Sequence, residues 1–250
     1  MSLLFWIILQ YGNYKSEKSF QKFAYFKKKQ YLCSRFLRTL SATGCQQSEK
    51  IMSEDQKCHI IKAAGDLFFR LGIRSVSIDD ICHELGISKK TFYVYFASKD
   101  ELIEQLLQAN LGYMRGKMED LLNLHDFRQL VKVFLKHQEA EKNDVRRVPQ
   151  LVYDLKKYYP RQFSDFQVQC FETQKEYLKR YLELGVSEGL VRANLNIELT
   201  AVLFAKIHND AIRDFEEIEK HNHNLHQLAH TAMDVFVRGI LSEEGLKLYN

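Results

Sequence analysis

The chain contains few of the residues that break helices. Only two prolines and 11 glycines occur among 250 residues. Because proline interrupts a helix and glycine weakens one, this scarcity favours long helices. Apolar residues recur with a period close to 3.6, and the alternation typical of strands is almost absent. The sequence therefore predicts an all-α fold.

Cysteine is also sparse and poorly placed for a structural role. Five cysteines are scattered along the chain, and none lies in a Cys-x-x-Cys pair. This spacing argues against a zinc site or a disulfide framework, and it fits a reducing cytoplasm. The five are Cys33, Cys45, Cys58, Cys82 and Cys170. We expect no cofactor.

Signals for a membrane span or an enzyme are missing as well. No run of about 18 apolar residues follows residue 10, and the apolar first ten residues are too short to span a bilayer. There is no glycine-rich phosphate loop, no Gly-x-Ser-x-Gly elbow and no set of metal ligands. These observations predict neither a membrane partner nor a catalytic activity.

The net charge of +4 is unevenly distributed. Residues 1–51 hold nine Lys/Arg and two Glu, a net charge of +7, which leaves −3 for residues 52–250. The overall charge is therefore no evidence for nucleic-acid binding. We interpret residues 1–51 as an extension that is disordered or not native. One alternative is a basic arm that adds non-specific DNA affinity, and a less favoured one is a membrane tether.

A start at Met52 is our expectation for the natural product. Ser53 followed by Gln56 has the pattern of a capping box, which would open a first helix over about 54–71. Ile60, Ile61, Ala64, Leu67, Phe68 and Leu71 would form its inner face, with Gly72 ending it.

Residues 77–102 carry the clearest pattern in the chain. Ile78, Ile81, Cys82 and Leu85 recur at i, i+3, i+4 and i+7, the spacing of one helix face. Ser77 precedes this run, with Asp80 three residues later, a capping-box pattern. Gly86 suits the left-handed conformation that ends a helix. This segment predicts a short helix followed by a tight turn.

A second short helix is expected over 89–95, capped by Ser88. Phe92 and Phe96 would face inward, which leaves cationic and hydroxyl side chains outside: Lys89, Lys90, Thr91, Tyr93 and Tyr95. Residues 88–99 contain three lysines and no acid. In a helix–turn–helix the second helix enters the major groove of DNA, where such a face suits phosphates and base edges.

The segment from about residue 57 to 106 resembles the DNA-binding domain of TetR-type transcriptional regulators. The resemblance is carried by IIKAAGDLFFRLGIRSVSIDDIC and ELGISKKTFYVYFASKDEL. It implies a ligand-responsive, cytoplasmic regulator, usually a repressor, that binds a roughly palindromic double-stranded DNA operator as a homodimer. It also implies a small-molecule effector, whose identity the sequence leaves open.

The resemblance further implies roles for single residues. Tyr93, Tyr95, Lys99 and Ser77 match positions that contact the DNA backbone, and Lys99 would bind a phosphate at the start of a fourth helix. Lys89, Lys90 and Thr91 are the residues expected to reach bases, with Ser88 at the cap of their helix.

The remaining chain reads as helical. We place the DNA-binding domain at 52–100 and a larger helical effector-binding and dimerisation domain at 101–250. Helices are expected near 126–142, 149–159, 161–187, 197–220 and 225–241. The last two carry apolar stripes that would form a four-helix bundle between two chains.

An aromatic-rich stretch, residues 150–184, is the candidate effector pocket. We predict that Tyr153, Tyr158, Phe163, Phe166, Phe171 and His208 line it. Ordinary packing of a helical bundle is the alternative for each of these aromatic residues.

Four histidines lie between the last two helices: His221, His223, His226 and His230. His226 and His230 have a spacing that can bind a metal, but no cysteine is near and Asn222 and Asn224 intervene. A solvated turn is the favoured interpretation, and no metal is predicted.

One alternative function stays open at this stage. A helical ligand- or partner-binding protein could keep the same fold without binding DNA. Salt-sensitive affinity for DNA would distinguish the two.

Overall fold

The computed structural model describes residues 44–132, 148–213 and 225–249. Within these ranges the chain forms helices and turns and no strand; Val191 and Leu241 form an isolated antiparallel bridge. The all-α prediction is confirmed. None of the helices described is both long enough and apolar enough to cross a bilayer.

Nine helices are assigned in the described part of the chain. They are α1 (Gly44–Leu71), α2 (Ile78–Leu85), α3 (Lys89–Tyr95), α4 (Lys99–Leu122), α5 (Val148–Tyr158), α6 (Pro160–Ser187), α7 (Ile197–Arg213), α8 (Leu225–Ile240) and α9 (Glu243–Tyr249). Residues 127–132 are also helical. The predicted helices 149–159, 161–187 and 225–241 agree with α5, α6 and α8 to within one residue. The predicted stretches 133–142 and 214–220 lie outside the described residues, and α9 was not predicted.

Helix α1 begins ten residues earlier than expected. It starts at Gly44, so Ser53 lies inside the helix rather than at its cap. The physical reason is that residues 46–56 contain good helix formers and neither proline nor glycine, and nothing there stops propagation. A natural start at Met52 remains a prediction.

The described residues fall into two compact units. The amino-terminal unit comprises residues 44–113 and 148–166, and the carboxy-terminal unit comprises residues 114–132, 167–213 and 225–249. Helices α4 and α6 each contribute residues to both units. The predicted domain boundary after residue 100 differs from this division, because α5 packs on α1 within the amino-terminal unit.

The core of the amino-terminal unit is built from helix faces that the periodicity indicates. Ile60, Ala64 and Phe68 of α1 are buried, as are Ile81 of α2 and Phe92 of α3. Leu71, assigned to the inner face of the first helix, is instead 58% exposed. It is the last residue of α1, and the chain turns away at Gly72, whose φ of 85° is left-handed.

A second core lies in the carboxy-terminal unit where α6 ends. Gly189 has a φ of 71°, which ends the helix and turns the chain. Leu190 then packs with Leu182, Leu241 and Tyr249 in one buried cluster. The backbone N–H of Ser242 donates to the Leu190 carbonyl at 2.9 Å, so the turn after α6 and the start of α9 are held together.

Candidate nucleic-acid interface and effector cavity

Helix α2 has the two ends that its sequence predicts. The Asp80 backbone N–H donates to Ser77 Oγ at 3.2 Å, and Asp80 Oδ2 accepts from the Ser77 backbone N–H at 2.7 Å. The Ser77 hydroxyl also donates to Asp80 Oδ2 at 2.7 Å. These bonds lower the pKa of Asp80. At the other end Gly86 has a left-handed φ of 63°, and its N–H donates to the His83 carbonyl at 3.2 Å.

The hydrogen-bonding groups of Ser77 are used within the protein by the capping box. Its backbone N–H and its hydroxyl both bond to Asp80, so the residue orients α2 in the protein as described. Its predicted contact with the DNA backbone is not tested by this geometry.

Helix α3 presents its outer face as expected and adds one residue to it. Ser88 caps the helix by accepting from the Thr91 backbone N–H at 3.0 Å, and the two hydroxyls lie 2.9 Å apart. Phe92 and Phe96 are fully buried, with ring centroids 5.6 Å apart. Lys90 is exposed and Tyr93 is 52% exposed, whereas Tyr95 is half-buried.

Val94 is the residue that the sequence analysis missed. It is 72% exposed, the largest exposed fraction among the large apolar side chains described. Its exposure follows from helix geometry, since a residue two positions after the inward Phe92 lies about 200° around the helix from it. An apolar side chain four residues after Lys90 suits the methyl group of thymine.

Lys89 is held by an acid from the preceding helix. Its ammonium lies 2.8 Å from Asp79 Oδ1 of α2, and both side chains are well exposed. The hydrogen bond to Asp79 raises the pKa of Lys89. Residues 88–99 contain no acid, but the Asp79 carboxylate neutralises Lys89, so the outer face of α3 is less positive than the sequence indicated.

Lys99 has a structural role that the sequence did not reveal. Its ammonium donates to the backbone carbonyls of Ile73 at 2.5 Å and Val76 at 2.6 Å. It also lies 5.5 Å from the centroid of the Phe68 ring. Burial lowers the pKa of Lys99. The side chain thus joins the start of α4 to the turn before α2, and a direct phosphate contact stays a prediction.

A buried carboxylate from α5 supports the same turn. Asp154 is 2% exposed and accepts from the Arg74 backbone N–H at 3.1 Å and from Gln150 Nε2 at 2.9 Å. The Arg74 guanidinium lies 5.6 Å from the centroid of the Tyr158 ring. Helix α5 is therefore part of the scaffold that positions α2, a link between residues 80 apart that no local pattern signals.

The predicted pocket residues lie in different environments in the described structure. Tyr153 and Tyr158 are exposed on α5, Phe163 and Phe166 are buried in packing, and Phe171 lies 5.6 Å from the Lys175 ammonium. The His208 side chain lies outside the described ones.

An apolar cavity of about 120 Å³ instead lies within the carboxy-terminal unit. None of the predicted pocket residues with described side chains lines it. Side chains from α4, α6, α7 and α8 contribute to its wall, among them Met118, Gln174, Tyr181, Phe204, Phe236 and Leu241. The effector site predicted in the aromatic-rich stretch stays a prediction. Of that stretch, Tyr181 lines this cavity, whereas Tyr159, Phe163 and Phe166 are buried.

Two polar side chains line the cavity. The Tyr181 hydroxyl donates to the Met118 carbonyl at 2.7 Å. Gln174 is 2% exposed, and neither its Nε2 nor its Oε1 has a hydrogen-bond partner among the described residues.

Cysteine and metal chemistry find no support in the described part of the chain. Cys82 and Cys170 are buried free thiols, and burial raises the pKa of Cys170 to about 12. A thiol of such high pKa is a poor nucleophile. No group of three or more metal-ligating side chains occurs among the described residues. Of the four histidines near 221–230, two lie outside the described chain and the other two have side chains that are not described.

An apolar stripe marks the outer face of α7. Leu199, Leu203 and Ile207 are 44–63% exposed and follow one another at intervals of four residues, which places them on one side of the helix. Val235 of α8 is exposed as well. Such a row of exposed leucines and isoleucine is typical of an interaction surface.

Comparison with known proteins agrees with the helix–turn–helix geometry. Residues 60–106 match the family model described as bacterial regulatory proteins, tetR family. The transcriptional repressor KstR2 of Mycolicibacterium smegmatis is 24% identical over 147 residues, covering 56% of this chain and 69% of the repressor. The transcriptional regulator YhgD of Bacillus subtilis is 22% identical over 182 residues, covering 66% of this chain and 87% of that protein.

Solved structures agree with the fold. A TetR transcription regulator from Haloarcula marismortui superposes with a TM-score of 0.60 at 18% identity, covering 76% of this chain and all of that one. Reduced NemR of Escherichia coli gives a TM-score of 0.57 at 13% identity, covering 74% of this chain and 97% of that one. Together with the capped α2–α3 pair and its exposed Lys90, Tyr93 and Val94, these matches show that residues 60–106 are similar to the helix–turn–helix domain of the TetR family of bacterial transcriptional regulators.

Proposed function

We propose that this regulator is a cytoplasmic homodimeric repressor that binds a palindromic operator through α3 and leaves it when an effector occupies the cavity of the carboxy-terminal unit. The observation that carries the proposal is the outer face of α3. Lys90, Tyr93 and Val94 are exposed on a helix whose opposite side is fixed by two buried phenylalanines.

The exposed side chains suggest a division of labour on DNA. Lys90 and Val94 lie one turn apart and suit base edges, the former a guanine and the latter a thymine methyl. Tyr93 and Tyr95 carry hydroxyls that can donate to phosphates. Lys89 must exchange Asp79 for DNA before it contributes, whereas Ser88 and Thr91 hold the start of the helix.

The DNA-binding part of the proposal is tested by Lys90→Ala. Removing one cation from the face should lower the slope of log affinity against log salt by about one and weaken the preference for the operator. Fluorescence anisotropy with labelled DNA from upstream of the coding region, compared with an unrelated duplex of equal length, measures both effects.

Lys247→Ala is the matched control, because it removes the same charge from α9 of the carboxy-terminal unit. It should leave the slope unchanged. Equal slopes for Lys90→Ala and the unaltered protein would refute the role of α3. Absence of any salt-dependent affinity for DNA would favour a helical ligand- or partner-binding protein that does not bind DNA.

The apolar stripe on α7 supports the dimer. A two-fold axis brings the same surface of two chains together, so each exposed leucine of the stripe would be buried in both chains. Two recognition helices then meet half-sites about one helical turn of DNA apart, which requires a palindromic operator.

Leu203→Glu is expected to separate the dimer. Burial of one leucine is worth about 1.5–3 kcal/mol, and symmetry doubles the loss, so dimer affinity should fall at least about 100-fold. Sedimentation equilibrium measures the change, with Val168→Glu as a control for charge on an exposed valine of α6. A Leu203→Glu protein that remains dimeric at the same concentrations would contradict the assignment of this face.

The cavity supports control by a ligand through a population shift. Met118 and Leu121 line it and lie on α4, the helix that begins with Lys99 and its bonds to the turn before α2. An effector that prefers one arrangement of α4 would change the population of the DNA-binding state. Moving a dimer from mostly bound to mostly free requires a preference of several kcal/mol.

A further inference from the structure

The cavity of the carboxy-terminal unit holds one side chain whose hydrogen-bonding groups are unused. Gln174 is buried to 98%, yet neither its amide nitrogen nor its amide oxygen has a partner among the described residues. Leaving a buried polar group unsatisfied is unfavourable. A ligand that hydrogen-bonds to the Gln174 amide removes this unfavourable contribution, which favours binding of such a ligand.

The wall of the cavity otherwise lacks polarity. Among the described residues no Asp, Glu, Lys, Arg or His lines it, and the remaining polar side chain, Tyr181, already donates its hydroxyl hydrogen to the Met118 carbonyl. Burial raises the pKa of Tyr181, so it remains an uncharged phenol. An ionised ligand would lose its hydration here without gaining an opposite charge, which is unfavourable.

The volume limits the size of the ligand. A cavity of roughly 150 Å³ lined by aliphatic and aromatic side chains holds benzene. The volume of about 120 Å³ found here therefore suits a molecule of similar size.

We infer that the effector site selects a small, uncharged, mainly hydrocarbon molecule of about benzene's size that carries one hydroxyl or carboxamide group bonded to Gln174. This inference rests on the proposed role of the cavity as an effector site. A hydroxyl or carboxamide both donates and accepts, so it satisfies both atoms of the glutamine amide. A hydrocarbon of the same shape satisfies neither.

Phenol, toluene and benzoate form the probe set. Phenol and toluene have the same shape and differ in one hydroxyl, and benzoate adds a negative charge. Isothermal titration calorimetry on the full chain without DNA should give phenol at least tenfold higher affinity than toluene, with no measurable binding of benzoate. Because DNA is not involved, the result is independent of whether the protein acts as a repressor.

Gln174→Met isolates the contribution of the amide. The methionine keeps the side-chain length and removes both polar atoms, so the preference for phenol should disappear and toluene should bind at least as well. Gln169→Met on the same helix is the control, since Gln169 does not line the cavity, and it should keep the tenfold preference. Urea unfolding should show Gln174→Met to be at least as stable as the unaltered protein.

Several results would overturn the inference. They are equal affinities for phenol and toluene in the unaltered protein, a phenol preference that survives in Gln174→Met, tighter binding of benzoate, or no binding of any probe. If Gln174→Met fails to fold, the three probes on the unaltered protein still decide. Unchanged operator affinity of ligand-free Gln174→Met would show that a failure here leaves the DNA-binding proposal intact.

Discussion

Replacing Lys99 with methionine is expected to loosen the recognition helices and to lower DNA affinity at least tenfold. The change removes the donor to the Ile73 and Val76 carbonyls and leaves a flexible apolar chain beneath the turn before α2. Hydrogen bonds from a charged donor contribute about 1.5–3 kcal/mol each, and partial exposure reduces this, so a total loss of about 2 kcal/mol is expected.

Hydrogen exchange measures that loss locally. The amides of α2 and α3 should exchange faster in Lys99→Met, while those of α7 and α8 should not change. Lys90→Met is the control: its side chain is exposed at the surface of α3, so it should weaken DNA binding without changing exchange. Unchanged protection in Lys99→Met, with a salt slope lower by about one, would instead assign Lys99 to a phosphate.

Gly245→Ala is expected to cost the carboxy-terminal unit about 3 kcal/mol of unfolding free energy. An added Cβ would lie 2.2 Å from the Leu190 carbonyl oxygen and 3.0 Å from Leu241 Cδ2. The carbonyl cannot move away easily, because it accepts from the Ser242 backbone N–H at 2.9 Å. Urea unfolding followed by circular dichroism measures the loss.

Gly239→Ala provides the comparison. No atom lies within 4 Å of the Cβ that it would add, and Gly239 lies inside α8. Alanine is favoured over glycine in a helix by about 0.5–1 kcal/mol, so this variant should be slightly more stable than the original. The account of the α6–α9 junction fails if Gly245→Ala is as stable as Gly239→Ala.

Local patterns in the sequence were sufficient for the helix–turn–helix. Ser77 and Asp80 are three residues apart, Gly86 directly follows the last residue of α2, and Phe92 and Phe96 are four residues apart, with Phe96 at the end of α3. Each of these contacts joins neighbours along the chain, so sequence spacing predicts it. The exposure of Val94 was equally predictable from helical geometry.

Contacts between distant residues account for what the sequence could not predict. Lys99 reaches carbonyls 23 and 26 residues earlier, and Asp154 bonds to Arg74 across 80 residues. Spacing gives no information on such pairs. The wall of the cavity combines side chains of α4, α6, α7 and α8 with those of the helical residues 127–132, an arrangement that spacing along the sequence does not reveal.

Operator binding through α3 is tested by DNA binding of the full chain across a salt series, measured by fluorescence anisotropy. We expect tight binding of a dimer to DNA upstream of its own coding region, a steep decrease in affinity with salt, and a weaker slope in Lys90→Ala. Absence of salt-dependent affinity for any duplex would contradict it. So would binding that Lys90→Ala leaves unchanged, which would assign the affinity to the basic residues 1–51 instead of α3.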